Sequence, residues 1–431
     1  MAVAALFAGT APAAQAQSVQ ELKTQIEALQ RKLEDLERKQ QAAEAENKRK
    51  MAELEQKAPA QAVTGGDIPG SFKLPGTDTS IRIGGYVKLD GLYSSKGVGG
   101  VGDQLFAPAT IPVGPASGAA EEHFEFHARQ TRLNIFTHTP TSVGAVTALL
   151  EGDFFGANGN QVVSNSHGFR LRHAFGTIGK FGAGQFWSNF MDLNAIPDTL
   201  DFGGPGSQIF DRQAQVRWTE KFSGGEWIVS LENPESVIGS TTATSVAKPD
   251  TDQVPDIVGR VQWDVGKAKL SLAGMLRNVR IETATVDDDK WGGQVSFAGR
   301  VPVLGQDDLR FQVHAGNAAG RYQNGFYVDG VLGPTGQLLS LPKVFSAFAA
   351  YRHLWTQNLR SNLVLSGSRA DLPDGAFGGL NKSVRSAHVN LIWSPAKKTD
   401  VGVEYIYGRR ETENGQSGSL NRVQFSTQVS F

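Results

Sequence analysis

The chain has 431 residues, 50 of them Gly and none Cys, and its 42 Lys and Arg against 43 Asp and Glu leave a net charge of −1. Zero Cys excludes a disulfide scaffold and thiolate chemistry, and the near-neutral total says nothing about partners. No run of about 18 apolar residues occurs, which excludes a membrane-spanning helix but not a membrane-spanning barrel, whose lipid-facing residues come at every second position.

The first residues, MAVAALFAGTAPAAQAQS, carry a short apolar run and a small-x-small pattern at Ala14-Gln15-Ala16. They read as a secretory leader over residues 1–16 that lacks the usual basic start, with cleavage before Gln17. Residues 17–57 are rich in Glu, Lys, Gln and Ala. Val19, Leu22, Ile26, Leu29, Leu33 and Leu36 alternate at spacings of three and four, an a/d heptad seam with charges elsewhere. Such a stripe cannot be buried by one helix alone, so self-association as a coiled coil is expected, two strands or three being left open. Residues 58–71, APAQAVTGGDIPGS, read as a Pro/Gly linker.

From Ile81 the period becomes two. At the C-terminus Val423, Phe425, Thr427, Val429 and Phe431 share one face, and Arg422, Gln424, Ser426, Gln428 and Ser430 share the other. A final Phe after such a strand resembles the terminal signature that the barrel-assembly machinery recognises, so Phe431 is its expected contact. Similar alternation occupies 257–264, 291–300 and 309–315. Roughly sixteen strands are expected, a porin-like number: near 81–95, 124–138, 143–154, 168–178, 180–187, 208–219, 225–232, 256–265, 267–277, 290–301, 308–316, 344–354, 357–368, 383–394, 398–409 and 420–431. Connections alternate. Thr139-Pro140-Thr141-Ser142, Gly179-Lys180, Gly266-Lys267 and 394–397 are short; 96–123, 188–207, 233–255, 317–343 and 369–382 are long. Short periplasmic turns and long outer loops are the asymmetry of a bacterial outer-membrane barrel. Trp218, Trp263, Trp291, Trp355, Trp393, Tyr405 and Tyr407 lie in or at the ends of strands, where girdle residues facing outer-membrane lipid belong.

With the apolar face turned to lipid, the other face carries Arg170, Arg172, Arg217, Arg260, Arg277, Arg300, Arg310 and Arg360, and few carboxylates, Asp264 and Glu404 being the clearest. Guanidinium groups around a lumen favour small anionic solutes, although the same residues could form a structural ladder. The loop 188–207 carries Asn189, Asp192, Asp198 and Asp201. Folded into the pore, its Asp residues would face the Arg wall across a narrow eyelet and set up a transverse field. His123, His127 and His138, or His167 and His173, lack a ligand context, and no metal or other cofactor is expected. No Ser nucleophile has a placed His and acid, so no catalytic residue is expected. The basic, aromatic-interleaved clusters of nucleic-acid binders are missing.

The segment Phe72-Lys73-Leu74-Pro75-Gly76-Thr77 with Ile81-Arg82-Ile83-Gly84-Gly85-Tyr86-Val87-Lys88-Leu89-Asp90 resembles the first strand of DcaP-like trimeric porins. So do Arg129-Gln130-Thr131-Arg132-Leu133, Glu151-Gly152-Asp153-Phe154, Arg170-Leu171-Arg172-His173-Ala174, 184–190, 198–205 and Glu232-Asn233-Pro234-Glu235. The resemblance implies a homotrimer of sixteen-strand barrels with a periplasmic coiled coil and uptake of small negatively charged solutes, dicarboxylates among them. The expected fold class is thus an all-β transmembrane barrel of about sixteen antiparallel strands over 72–431 with an N-terminal α-helical coiled coil. The expected function is passive diffusion through the outer membrane with anion preference. The rivals are a structural tether, its helix gripping the cell wall, and an outer-membrane hydrolase, which needs a Ser-His or paired-acid site at the outer rim.

Overall fold

The computed structural model describes residues 13–57, 65–114, 121–157, 159–246 and 251–431. It separates into Met1–Thr64 and Gly65–Phe431. In the first unit a helix, α1, runs Ala13–Lys57, beginning inside the expected leader, whose first twelve residues lie outside the described ones. No Gly or Pro interrupts it, and i,i+4 pairs such as Asp35–Lys39 and Glu46–Lys50 line its surface. Leu33 and Leu36 are exposed.

The second unit is a closed antiparallel barrel. Its strands are β1 (Ser80–Ser94), β2 (His123–His127 continued by Arg132–Thr139), β3 (Val146–Gly156), β4 (Gly168–Ile178), β5 (Phe181–Trp187), β6 (Arg212–Phe222), β7 (Gly225–Glu232), β8 (Asp256–Val265), β9 (Ala268–Glu282), β10 (Asp287–Pro302), β11 (Asp308–Asn317), β12 (Lys343–Thr356), β13 (Leu359–Asp371), β14 (Asn381–Ala396), β15 (Thr399–Thr412) and β16 (Ser417–Ser430). Each pairs with the next, and β1 closes the cylinder on β16 from Tyr86↔Ser430 to Ser94↔Arg422. Closure leaves no edge in the hydrocarbon, where an unpaired backbone group has no water to bond. The sixteen expected strands are all present, with shifted ends. The expected 208–219 starts at Arg212 because the Ile209 and Phe210 amides bond to Gln312 and Tyr322 instead of to a neighbouring strand.

Burial is inverted relative to a water-soluble protein. On β16, Val423 and Phe425 are 44% and 46% exposed while Gln424 and Ser426 are each 2% exposed. The same holds for Val295 and Phe297 against Gln294 and Ser296. Apolar side chains therefore point outward and polar ones inward, as a lipid-facing barrel requires. Gly85 on β1 sits at φ 151°, where a Cβ would lie 2.1 Å from the Arg132 carbonyl oxygen, so only glycine fits that approach.

At one end, two residues separate Ile178 from Phe181, Phe222 from Gly225, Val265 from Ala268, Thr356 from Leu359 and Ala396 from Thr399. Gly179, Gly224 and Gly266 supply the positive φ such hairpins need. At the other end most connections are long, but 283–286 and 413–416 are tight turns, so the long–short alternation is broken twice. There β9, β10, β15 and β16 themselves run long, taking up residues a loop would otherwise hold.

Candidate functional site: the barrel interior

The third loop at the long-loop end, 188–211, folds into the barrel and is tied to the wall almost all the way round. Glu232 of β7 accepts from the Asn189 amide (2.8 Å), and the Asn189 side chain donates to the carbonyl oxygens of Ile228 and Val258. Arg260 of β8 donates to the Met191 carbonyl (2.7 Å), and Arg310 of β11 to that of Ile196 (2.5 Å). His314 bonds the Ser207 carbonyl and Asn390 that of Asp198. At the loop's far end, Lys88 of β1 donates to the Leu200 carbonyl (2.6 Å), and Glu404 of β15 accepts from the Leu200 amide (2.8 Å).

The loop's carboxylates do not face arginines across a gap. Asp192 is buried, accepting from the Asn194 amide (2.8 Å) and from Ser271 Oγ (2.6 Å). Asp201 is buried, accepting from the Phe106 and Gly204 amides; burial raises its pKa above the ordinary carboxylate value. Asp198 touches Arg360 directly at 2.7 Å. The expected eyelet of opposed charges is corrected on this point: a loop carried through a barrel must satisfy its own backbone donors, and its acids are spent on that and on direct pairing.

The eight arginines expected on the inner face fall into three groups. Arg260, Arg310 and Arg360 hold the third loop. Arg277, 1% exposed, pairs with Asp256 and Asp329 at 2.8 Å each and donates to the carbonyls of Ala318 and Glu235. It clamps the loops 233–255 and 318–342, which share a small sheet, Ile238–Ser240, Gly330–Leu332 and Leu338–Ser340, with an apolar core of Ile238, Val279, Ile281 and Leu338. The first loop also folds inward: Phe106 and Ile111 pack on Ile406 and Leu420, and Arg410 and Arg422 donate to loop carbonyls. Arg300 lies at the end bearing the short turns, 3.0 Å from Asp308.

The rest face the wall built by β2 to β6. Arg170 and Arg172 share Asp153, at 2.8 and 3.0 Å, and Arg172 also meets Glu151 at 2.8 Å. Arg217 lies over the rings of Phe175 and Phe186, at 4.5 and 5.0 Å. On this wall two inward guanidinium groups were missed. Arg132 lies over Tyr86 and 3.6 Å from Glu151. Arg212 lies over Trp187 at 4.6 Å and Phe210 at 5.8 Å, and its buried Nη1 has no hydrogen-bond partner. Arg212 stands where loop meets strand, so alternation carries no signal there. The aromatics were missed for another reason. An extra residue, Arg172, in the β3–β4 register turns Phe175 inward, against the alternation before it.

Above this wall a cavity of about 320 Å³ is lined by Arg170, Trp187, Phe202, Phe210, Asp211 and Arg212, with Phe106 and Gln323 opposite. Burial pushes the Asp211 carboxyl up to about 6, against the pull of Arg321. Among the described residues no cluster of three His, Asp or Glu is placed to hold a metal ion.

The model of the DcaP outer membrane protein family matches residues 8–431. Among solved structures, the outer membrane channel DcaP of Acinetobacter baumannii is similar at a TM-score of 0.73 and 24% identity, over 85% of this chain and 100% of that one. The outer membrane protein OmpT of Vibrio cholerae, in a trimer form, gives 0.52 and 10% over 82% and 99%. OmpF of Salmonella typhi gives 0.51 and 11% over 82% and 98%. No curated protein matches the sequence.

Proposed function

Because the chain belongs to the DcaP outer membrane protein family, we propose that it is a porin whose solute path runs between the inserted loop and the β2–β6 wall, and that it prefers small anions, dicarboxylates among them. The observation that carries the reading is a charge imbalance. Arg132, Arg170, Arg172, Arg212 and Arg217 share that wall with Glu151 and Asp153. Among the described residues neither Arg212 nor Arg217 has a carboxylate within ion-pair distance. A guanidinium group over an aromatic ring can still offer N–H donors to a planar carboxylate. Two such groups on one wall suit a solute with two carboxylates.

The test is planar-bilayer conductance under a salt gradient. Wild type is expected to show a reversal potential of the sign for anion preference, and Arg170→Gln/Arg172→Gln a smaller one. Cation preference in wild type would remove the reading.

The short turns mark the periplasmic end, and β1 enters there from Gly65, which bridges to Phe72. A periplasmic α1 self-associating through the seam that includes Leu33 and Leu36 follows. A homotrimer is the assembly we favour, in line with the trimer form of OmpT. Deleting residues 18–57 is expected to weaken assembly, read by sedimentation in detergent, while leaving conductance in place. Loss of envelope attachment alone would instead make the helix a tether.

A further inference from the structure

A second cationic cluster lies at the periplasmic end of the barrel interior, away from the wall just described. On β10, β11 and β12, inward positions Arg300, Asp308, Arg310 and Arg352 meet. In the register Arg300 stands opposite Arg310, and Asp308 opposite Arg352. All three guanidinium groups converge on one carboxylate: Arg310 Nε on Asp308 Oδ1 at 2.8 Å, and Arg300 Nη2 and Arg352 Nη2 on Oδ2 at 3.0 and 2.5 Å. Asp308 is sealed beneath them, its side chain 2% exposed, while Arg300 is 42% exposed and Arg352 20% exposed.

Like charges directly opposite each other on a sheet repel, and one carboxylate neutralises one guanidinium. Arg310 is also committed to the Ile196 carbonyl. Arg300 and Arg352 therefore carry the uncompensated charge. Arg352 Nε is buried with no hydrogen-bond partner. The neighbouring cations each have a carboxylate of their own: Lys269 sits on Asp264, and Arg360 lies between Asp198 and Asp400.

We propose that Arg300 and Arg352 form an oxyanion-binding station at the periplasmic exit, taking a carboxylate or phosphate group of a solute that has already passed the β2–β6 wall. This rests on the channel reading above. Asp308 gathers the two cations and keeps their hold on an anion weak enough for release, since a site on a conduction path must let go of what it binds.

The experiment uses the full chain in planar bilayers, with the direction of insertion marked by Val163→Cys, at an exposed position of an outer loop in a chain that has no Cys of its own. Tripolyphosphate and, separately, citrate are added on the periplasmic side, and the half-blocking concentration is read. Arg300→Gln/Arg352→Gln is expected to raise it about tenfold for both probes, the scale of losing charge-assisted contacts, while block from the outer side is unchanged. Arg300→Lys/Arg352→Lys is expected to restore part of the periplasmic block. A rise for only one probe assigns the station to that oxyanion. An unchanged periplasmic block in the double Gln variant, with normal heat-modifiable migration showing a folded barrel, overturns the station. In that outcome anion preference of wild type still stands as the separate readout of the channel reading.

Discussion

The β2–β6 wall and the β8–β16 wall are both rich in arginine, yet they use it differently. On β8–β16, Arg260, Arg277, Arg310, Arg410 and Arg422 donate to carbonyl oxygens of loops folded inside the barrel. Those side chains replace the water that loop backbone would otherwise require. On β2–β6, among the described residues, no loop carbonyl accepts a hydrogen bond from Arg212 or Arg217, and the guanidinium groups lie against rings. The same residue type thus builds a filled half and an open half. Which half an arginine belongs to is decided by whether a backbone carbonyl reaches it.

The filled half depends most on the loop clamp. Glu404, fully buried, accepts from the Leu200 and Asp201 amides and from Asn390. Glu404→Ala strands all three donors and is expected to cost about 3 kcal/mol or more. The check is a lowered thermal midpoint in detergent together with raised single-channel conductance. Next in size, Arg212→Gln/Arg217→Gln is expected to cut anion preference severalfold at little cost in stability, whereas Arg410→Gln on the filled half should lower the thermal midpoint and leave the reversal potential unmoved. Paired bilayer and melting measurements separate the two.

A smaller effect concerns pH. Asp211, with its pKa pushed up to about 6 by burial, loses its charge as pH falls through that value. Anion preference should therefore rise between pH 7 and 5 in wild type, and by less in Asp211→Asn. Because the folded value lies above the unfolded one, the carboxylate also erodes stability as pH rises from about 4 to about 6. The smallest effect belongs to the turn 303–307. Asp307 accepts from Tyr351, His353 and the Leu354 amide, which hold its carboxyl down at about 2. Its contribution is complete above about pH 4 and is lost as pH falls toward 2. Asp307→Asn should flatten that acid limb in unfolding curves.

The barrel was legible because lipid on one side and water on the other impose a strict period of two, visible in residues 422–431. The inward fold of the loops was not. The bonds that hold them join residues as distant as Leu200 and Glu404, and loop sequence has no periodicity to read. Arg277 and Arg217 occupy like inward positions in alternating strands, so nothing local distinguishes a clamp from a ring-stacked group. Asp192 and Asp201 looked like free charges for the same reason. Phe175 escaped notice because one extra residue in β4 reverses the faces beyond it.

Where solute passes can be measured in a chain with no cysteine by placing one thiol at a time. Arg217→Cys on the open wall and Ser346→Cys beneath the inserted loop 318–342, where Ser346 contacts Gln323, are exposed to an anionic methanethiosulfonate reagent during current recording. Modification is predicted to reduce the current through Arg217→Cys and to leave Ser346→Cys unchanged. Block at Ser346→Cys with none at Arg217→Cys would contradict the account.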